Sequence, residues 1–532
     1  MKKSIRPIFV CIIIFTGSVF LTSGKFVNTT IAPKVYFVML SLLIVTAFIT
    51  ISRKRINFSV IKSKTILWGI NIICFLQACF GLFQFVGWLP SNHSKFTITG
   101  SFDNPAGFAS VLAIGFPIGL FLLAKAERIE KYLTSVIFVV IVIAVFLSGS
   151  RTGMLAIIIS SIVFLIFKTN IKDKFRQLKY YKLLMILIII SFMSGVFTLY
   201  HQKKDSANGR FLIWKVSFKM IKHKPLLGQS YGSFQAKYMD YQADYFKNNL
   251  NSKFELLADN VKHPFNEFIK IAVEFGIAGL IVIFSLMLFI FRKIIKSKRE
   301  NSRLVLSGLA SFLVFACFSY PLQYVAIWLL LAFYILIFLL SKEISIRNIP
   351  IPIIARGIII IACVFSLSYI FRQMSAEIKW KTIAVNSLRG NTEEMLPEYK
   401  KLYSTVLKQN PFFLYNFGAE LNVAGSFDKS IEVLIECQKQ FNDYDLQMLL
   451  ADNYYKIGEF GKAIRTYQNA SNMIPCRFLP LFQLLEIYKD TGNIDLAIKY
   501  ANEIINKQIK IPSSTILCIQ NEARIFLIES GL

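Results

Sequence analysis

The chain has 532 residues, is 55% hydrophobic, and carries a formal net charge of +29. Its apolar residues fall in long runs such as 183–196 and 280–291, which excludes a single soluble globular domain. Such runs approach the roughly twenty residues that cross a bilayer as a helix, the only spanning form here that satisfies its own backbone.

The pattern predicts eleven spans, at 7–22, 35–51, 65–88, 105–124, 132–148, 153–167, 182–200, 266–291, 303–319, 322–340 and 353–371, with ends good to about four residues. The first follows Met1-Lys2-Lys3-Ser4-Ile5-Arg6 and has the outline of a signal peptide. The alternation after it needs this run as an uncleaved first helix. Basic residues crowd alternate loops: Arg53 to Lys64, Lys125 to Lys131, Lys168 to Lys182, and Arg292 to Arg303. The intervening loops hold little beyond Lys25, Lys34, Lys95 and Arg151. This asymmetry is the positive-inside pattern, so it predicts a cytoplasmic N-terminus and a C-terminal part outside. It also accounts for the positive charge without nucleic acid, leaving attraction to anionic membrane lipids as a secondary effect.

One external loop, 201–262, is polar, aromatic and too long for a connector. Beyond Phe371 the composition becomes that of soluble amphipathic helices. Gly425, Gly458 and Gly492 lie 33 and 34 residues apart, and Tyr454 with Tyr488 and Ala463 with Ala497 share the longer step. The copy Leu450, Ala451, Tyr454, Gly458, Phe460, Ala463, Tyr467, Ala470, Pro475 resembles the tetratricopeptide repeat, although Ile509 stands where the next copy would place its proline. The expected architecture is all-α: a polytopic helical bundle over 1–371 and a short helical-repeat solenoid over 372–532. Such solenoids bind protein partners or serve as passive caps. The eight cysteines are scattered, without CxxC or paired histidines, so neither a metal site, a redox pair nor a cofactor is expected.

Charge and polarity at a membrane edge are functional candidates by default. Gly100-Ser101-Phe102-Asp103-Asn104-Pro105-Ala106-Gly107 leads into the fourth span, where Asn104 either caps the helix or faces an external cavity. Ser148-Gly149-Ser150-Arg151-Thr152-Gly153 forms a tight external turn whose Arg151 guanidinium suits phosphate oxygens or, more plainly, lipid headgroups. The long loop carries Asn208-Gly209-Arg210, Phe211 and Trp214, then Pro225-Leu226-Leu227-Gly228. It closes on Lys262-His263-Pro264-Phe265-Asn266-Glu267 before Glu274-Phe275-Gly276. His263 can accept a proton near neutrality, and Glu267 is a second candidate base or a carboxylate held by its helix terminus.

In order, these pieces resemble the O-antigen ligase family of ligases, polymerases and protein O-oligosaccharyltransferases, over roughly 65–340. The resemblance implies a GT-C-like bundle and a metal-independent glycosyltransferase in the bacterial inner membrane. Its donor would be an undecaprenyl-diphosphate-linked glycan. Its acceptor would be lipid A core, a growing polysaccharide or a protein. It implies that Arg151 and Arg210 stabilise the departing diphosphate. Asn104, Ser150, Trp214 and Asn266 become candidate substrate-binding residues. The family places a histidine directly before the asparagine, as the base that takes the acceptor proton. Here Phe265 fills that slot, which leaves His263 or Glu267 for the role. The bland alternative is a membrane scaffold that assembles envelope proteins.

Overall fold

The computed structural model describes residues 2–52, 64–167, 204–297, 300–339 and 352–531. The predicted seventh span, 182–200, and the basic loops at 53–62, 168–182 and 298–299 lie outside the described residues. Every other predicted span coincides with a helix: Lys2–Phe20, Ala32–Ser52, Lys64–Phe85, Pro105–Lys125, Arg128–Leu147, Arg151–Ile166, Glu267–Lys296, Glu300–Phe318, Val325–Leu339 and Ile353–Ser387. Among the described residues seven helices are long and apolar enough to cross a membrane, three more apolar helices are shorter, and there is no strand. The protein is an all-α, multi-pass membrane protein.

Three boundaries differ from the sequence expectation. Arg151 is the first residue of its helix rather than part of the turn, because the Ser150 hydroxyl caps that helix on Gly153 N at 3.2 Å. The Ile353–Ser387 helix does not stop at Phe371. Polar residues begin there, but the chain meets no helix-terminating signal until Gly390, at φ +97°. The Glu267–Lys296 helix is broken at Gly276.

The chain forms two compact units. The first draws on residues within Met1–Leu199, Phe265–Phe268 and Val282–Ile378. Its centre is the Pro105–Lys125 helix, buried on nearly all sides. Small residues allow this: a Cβ at Gly115 would lie 2.6 Å from Cys74 Sγ, and one at Gly107 would lie 2.7 Å from Tyr324 Cζ. Close backbone approach of this kind replaces the hydrophobic drive that lipid removes. The Lys64–Phe85, Arg128–Leu147, Arg151–Ile166 and Glu300–Phe318 helices pack around it. By contrast, the Ile353–Ser387 helix presents Ile353, Ile354, Ile358 and Phe365 outward, a surface suited to lipid. It is tied to the Ala32–Ser52 helix where Tyr36 Oη donates to Glu377 Oε2 at 2.7 Å.

The second unit draws on Tyr200–Pro264, Ile269–Ile281 and Lys379–Leu532. The long loop contributes the helices Lys204–His223 and Ser233–Lys247. The C-terminal part contributes helix pairs such as Pro411–Val423 with Phe427–Gln438, Tyr444–Lys456 with Phe460–Met473, and Leu479–Asp490 with Ile494–Asn506. Gly425, Gly458 and Gly492 sit in the turns within those pairs at φ +71°, +80° and +72°, a conformation glycine adopts without strain. Ala463 and Ala497 are fully buried between helices.

The loop and the C-terminal helices share polar contacts. Asp240 accepts from Asn442 Nδ2 at 2.9 Å and Asn469 Nδ2 at 3.2 Å. Gln242 Nε2 donates to Met473 O at 2.8 Å, and Asn260 Nδ2 to Asp445 at 2.9 Å. Burial pushes the Asp240 carboxyl up from its ordinary value, and the two asparagine amides pull it back.

Candidate functional site

In the first unit, the turn before the Pro105–Lys125 helix is held from several sides. Gln84 Oε1 accepts from Thr99 N and Gly100 N at 2.9 and 2.7 Å, and Asn92 Nδ2 donates to Gly100 O and Phe102 O, each at 3.0 Å. The buried Lys34 donates to Ser101 O at 2.5 Å and to Thr30 O at 3.0 Å, and lies 4.7 Å from the Phe102 ring centre. Asn104 caps the helix: its Oδ1 accepts from Ala106 N at 2.8 Å and Gly107 N at 3.1 Å. Its amide donates to Tyr324 Oη at 2.9 Å and Tyr320 Oη at 3.2 Å, while Tyr324 donates to Asp103 at 3.0 Å.

The same segment, 317–324, receives the start of the Glu267–Lys296 helix. Asn266 Nδ2 donates to Cys317 O at 2.9 Å, and the buried Glu267 accepts from Leu322 N at 3.1 Å. Phe265 has φ +53°, an uncommon conformation for a bulky residue, and its ring meets Tyr320 edge-on at 5.4 Å. Asn104, Asn266 and Glu267, 162 positions apart in the chain from Asn104 to Asn266, therefore converge on one turn. Ser150 and Arg151 begin the Arg151–Ile166 helix, which packs on the Glu300–Phe318 helix that leads to this turn.

The second unit carries Arg210, Trp214 and His263. Arg210 and Trp214 are one turn apart on the Lys204–His223 helix, hence on one face. Trp214 Nε1 donates to Pro264 O at 2.9 Å, which fixes the segment after His263. Burial lowers the His263 imidazole to about 4, and the positive charges of Lys270 and Lys262 push the same way. It is neutral at physiological pH and can accept a proton. An anionic ligand beside it would raise its basicity.

The Pro225-Leu226-Leu227-Gly228 string has a definite partner, the break at Gly276 (φ +64°, ψ −161°). In an unbroken helix Ile277 N and Ala278 N would bond to Val273 O and Glu274 O. Instead, Ile277 N donates to Pro225 O at 2.8 Å and Ala278 N to Leu226 O at 3.1 Å. Gln229 N donates to Val273 O at 2.8 Å and Ser230 N to Glu274 O at 3.1 Å. All four groups freed by the break are taken up by the loop, so no backbone donor or acceptor released by it goes unpaired. A Cβ at Gly276 would lie 2.3 Å from Leu226 O, and one at Gly228 2.5 Å from Phe275 N. Both glycines are required by close approach and by positive φ.

Sequence reasoning did not select Lys34, Gln84, Asn92, Tyr320 or Tyr324. Lys34 carried a signal, a cation at the head of an apolar run. Tyr320 lies between two predicted spans and reads as connector, while Tyr324 falls inside the predicted span 322–340 as one more member of its apolar run. Among the described residues no group of three or more His, Cys, Asp or Glu side chains is placed to hold a metal ion.

Residues 136–284 match the O-antigen ligase family. The match takes in Ser150, Arg151, Arg210, Trp214, His263, Asn266 and Glu267, together with the loop and the broken helix, and begins after Asn104. No curated protein matches the chain. It is this segment, 136–284, that is similar to the O-antigen ligase family.

Proposed function

We propose that the protein is a membrane glycosyltransferase. It moves a glycan from an undecaprenyl-diphosphate carrier to an acceptor hydroxyl on the non-cytoplasmic face of the bacterial inner membrane. The reading is carried by one observation: the O-antigen ligase match spans the stretch that holds both candidate arginines and the candidate base. In this reaction the acceptor oxygen attacks the anomeric carbon, the bond to the diphosphate breaks, and the diphosphate leaves with its negative charge.

Each residue has a role in this reading. Arg151 and Arg210 offer planar guanidinium forks for the leaving diphosphate, with no metal required. His263, neutral at working pH, takes the acceptor proton. Glu267, which accepts from Leu322 N, acts as a positioning residue rather than as the base. Ser150 sets Arg151 at the first position of its helix. Asn104, Trp214 and Asn266 shape the segments that receive substrate. The acceptor class (lipid A core, growing polysaccharide or protein) stays open, and the paired helices of the C-terminal part are the surface for a protein partner. A non-catalytic scaffold is the reading from another class.

The test is transfer by Arg151→Ala and Arg210→Ala in a strain lacking the native chain. Loss of glycan transfer, with membrane insertion and amount unchanged, supports the proposal. Full transfer by both variants overturns it. The glycan missing from the deletion strain, whether long-chain surface polysaccharide, capped core or protein-linked sugar, identifies the acceptor.

A further inference from the structure

The loop that fills the helix break carries an apolar tip with no protein cover. Leu226 is 70% exposed, Leu227 79% and Tyr231 82%. They adjoin outward side chains of the broken helix itself: Tyr231 lies 6.5 Å from Phe275 between ring centres, and Phe275, Ile277 and Ile281 are exposed. In water such a contiguous patch would be costly to leave open. Yet the backbone of this loop is hydrogen-bonded to residues 273–278 of a helix long and apolar enough to span the membrane. The patch is thus continuous with the exposed apolar side chains Phe275, Ile277 and Ile281 of that helix. On its other flank stand the exposed Lys222, His223 and Lys224. Cations followed directly by a proline-led apolar tip match the boundary between headgroups and acyl chains.

We infer that the 225–231 loop is a membrane-dipping anchor whose leucines sit in the acyl region of the bilayer while Lys222 and Lys224 meet lipid phosphates. The consequence reaches the candidate site. Gln229 Nε2 donates to Met220 O at 2.9 Å and to Tyr241 Oη at 3.0 Å, and His223 Nδ1 lies 2.7 Å from Tyr241 Oη. The anchored loop therefore holds the C-terminal end of the helix that carries Arg210.

The test uses the full chain in nanodiscs of phosphatidylcholine and phosphatidylglycerol, without any lipid-linked glycan. The exposed Cys11 and Cys518 are replaced by serine. Leu227→Cys carries an environment-sensitive fluorophore, Lys439→Cys in the C-terminal part is the aqueous reference, and the parent chain gives the background. The expected result is emission quenched by bromines on the lipid acyl chains and at least about fivefold less sensitive to aqueous iodide than at Lys439. Iodide sensitivity equal to the reference, with no bromine effect, overturns the inference. Protection that appears only after a polyprenyl diphosphate is added also overturns it, because the patch then holds an isoprenoid chain rather than the bilayer. Should Leu227→Cys fail to fold, Tyr231→Cys reports on the same tip.

Discussion

At the scale of single residues, the proposed role of His263 would join stability to chemistry through one proton. Its folded value of about 4 lies below the ordinary 6.5 because burial and the lysines at 270 and 262 disfavour the cation. Above pH 6.5 both folded and unfolded chains are neutral there, and the group makes no difference. As pH falls from 6.5 toward about 4 the unfolded chain takes up a proton that the folded chain refuses, so stability declines across that window. Thermal unfolding in detergent should show this loss, and His263→Gln should lessen it. With His263 as the base of the proposed transfer, the neutral imidazole is the competent form, and activity is expected to fall on the acid side. The limb in kcat/KM reports the free enzyme. The limb in kcat reports the donor complex, where diphosphate charge favours the imidazolium, and is expected at higher pH. Coincident limbs, or a His263→Gln enzyme with an unchanged profile, would remove His263 from the role of base. The candidate residues themselves were legible in the sequence because polar groups stand out at the edges of apolar runs. Their partners were not. Asn104, Asn266 and Glu267 meet through Tyr320, Leu322 and Cys317, where two predicted spans adjoin and no charge draws the eye.

Lys34 belongs to this scale as well. Its ammonium holds the carbonyls of Ser101 and Thr30 inside the first unit. Lys34→Met keeps the stem but leaves two buried acceptors without a donor, a loss of about 1–3 kcal/mol. The expected result is a lower unfolding temperature, together with weakened transfer, since the turn it holds leads directly to the Asn104 cap. Unchanged stability would mean that the turn is set by Gln84 and Asn92 alone.

At the scale of elements, length and hydropathy were enough to find the helices, because a spanning helix needs little more than apolar continuity. They could not reveal a break inside one. Glu274-Phe275-Gly276 sits in a run that reads as uninterrupted, and glycine is common in membrane helices that do not break. What decides the matter is a second segment, 225–230, about fifty residues earlier, that supplies the four hydrogen bonds the break removes. Gly276→Ala tests this. Its Cβ would enter the backbone of Leu226, which cannot step aside, at a φ that alanine rarely adopts. The cost should be about 3 kcal/mol or more, read as loss of folded protein in a detergent melt. Gly209→Ala is the control: it lies in the Lys204–His223 helix with nothing within 4 Å of the added methyl. It should be neutral or stabilising by up to about 1 kcal/mol.

At the scale of the whole molecule, the glycines that recur at 33- and 34-residue steps stand in turns, and Ala463 and Ala497 stand between helices, so the packing of helix pairs follows the spacing in the sequence. What a period cannot show is which other segment the repeats pack on. The 201–262 loop and the C-terminal helices build one unit, held by Asp240 between Asn442 and Asn469 and by Gln242 on Met473 O. Removing 379–532 would therefore strip the loop of its partners and leave the Asp240 carboxylate without its amide donors. Truncation is expected to abolish transfer and to open 204–262 to proteolysis, even though the spans still insert. For that reason truncation does not separate an enzyme from a scaffold. A gentler cut does. Asn442→Ala and Asn469→Ala each remove one donor from Asp240, and in combination with Asp240→Ala they form double-mutant cycles. Coupling of about 1–3 kcal/mol is expected for hydrogen bonds to a half-buried carboxylate. If the loop must be held for chemistry to occur, transfer should fall in step with that coupling while the C-terminal helices stay folded. Transfer that stays at the parental level while the coupling is lost would mean that the repeats steady the loop without serving the reaction.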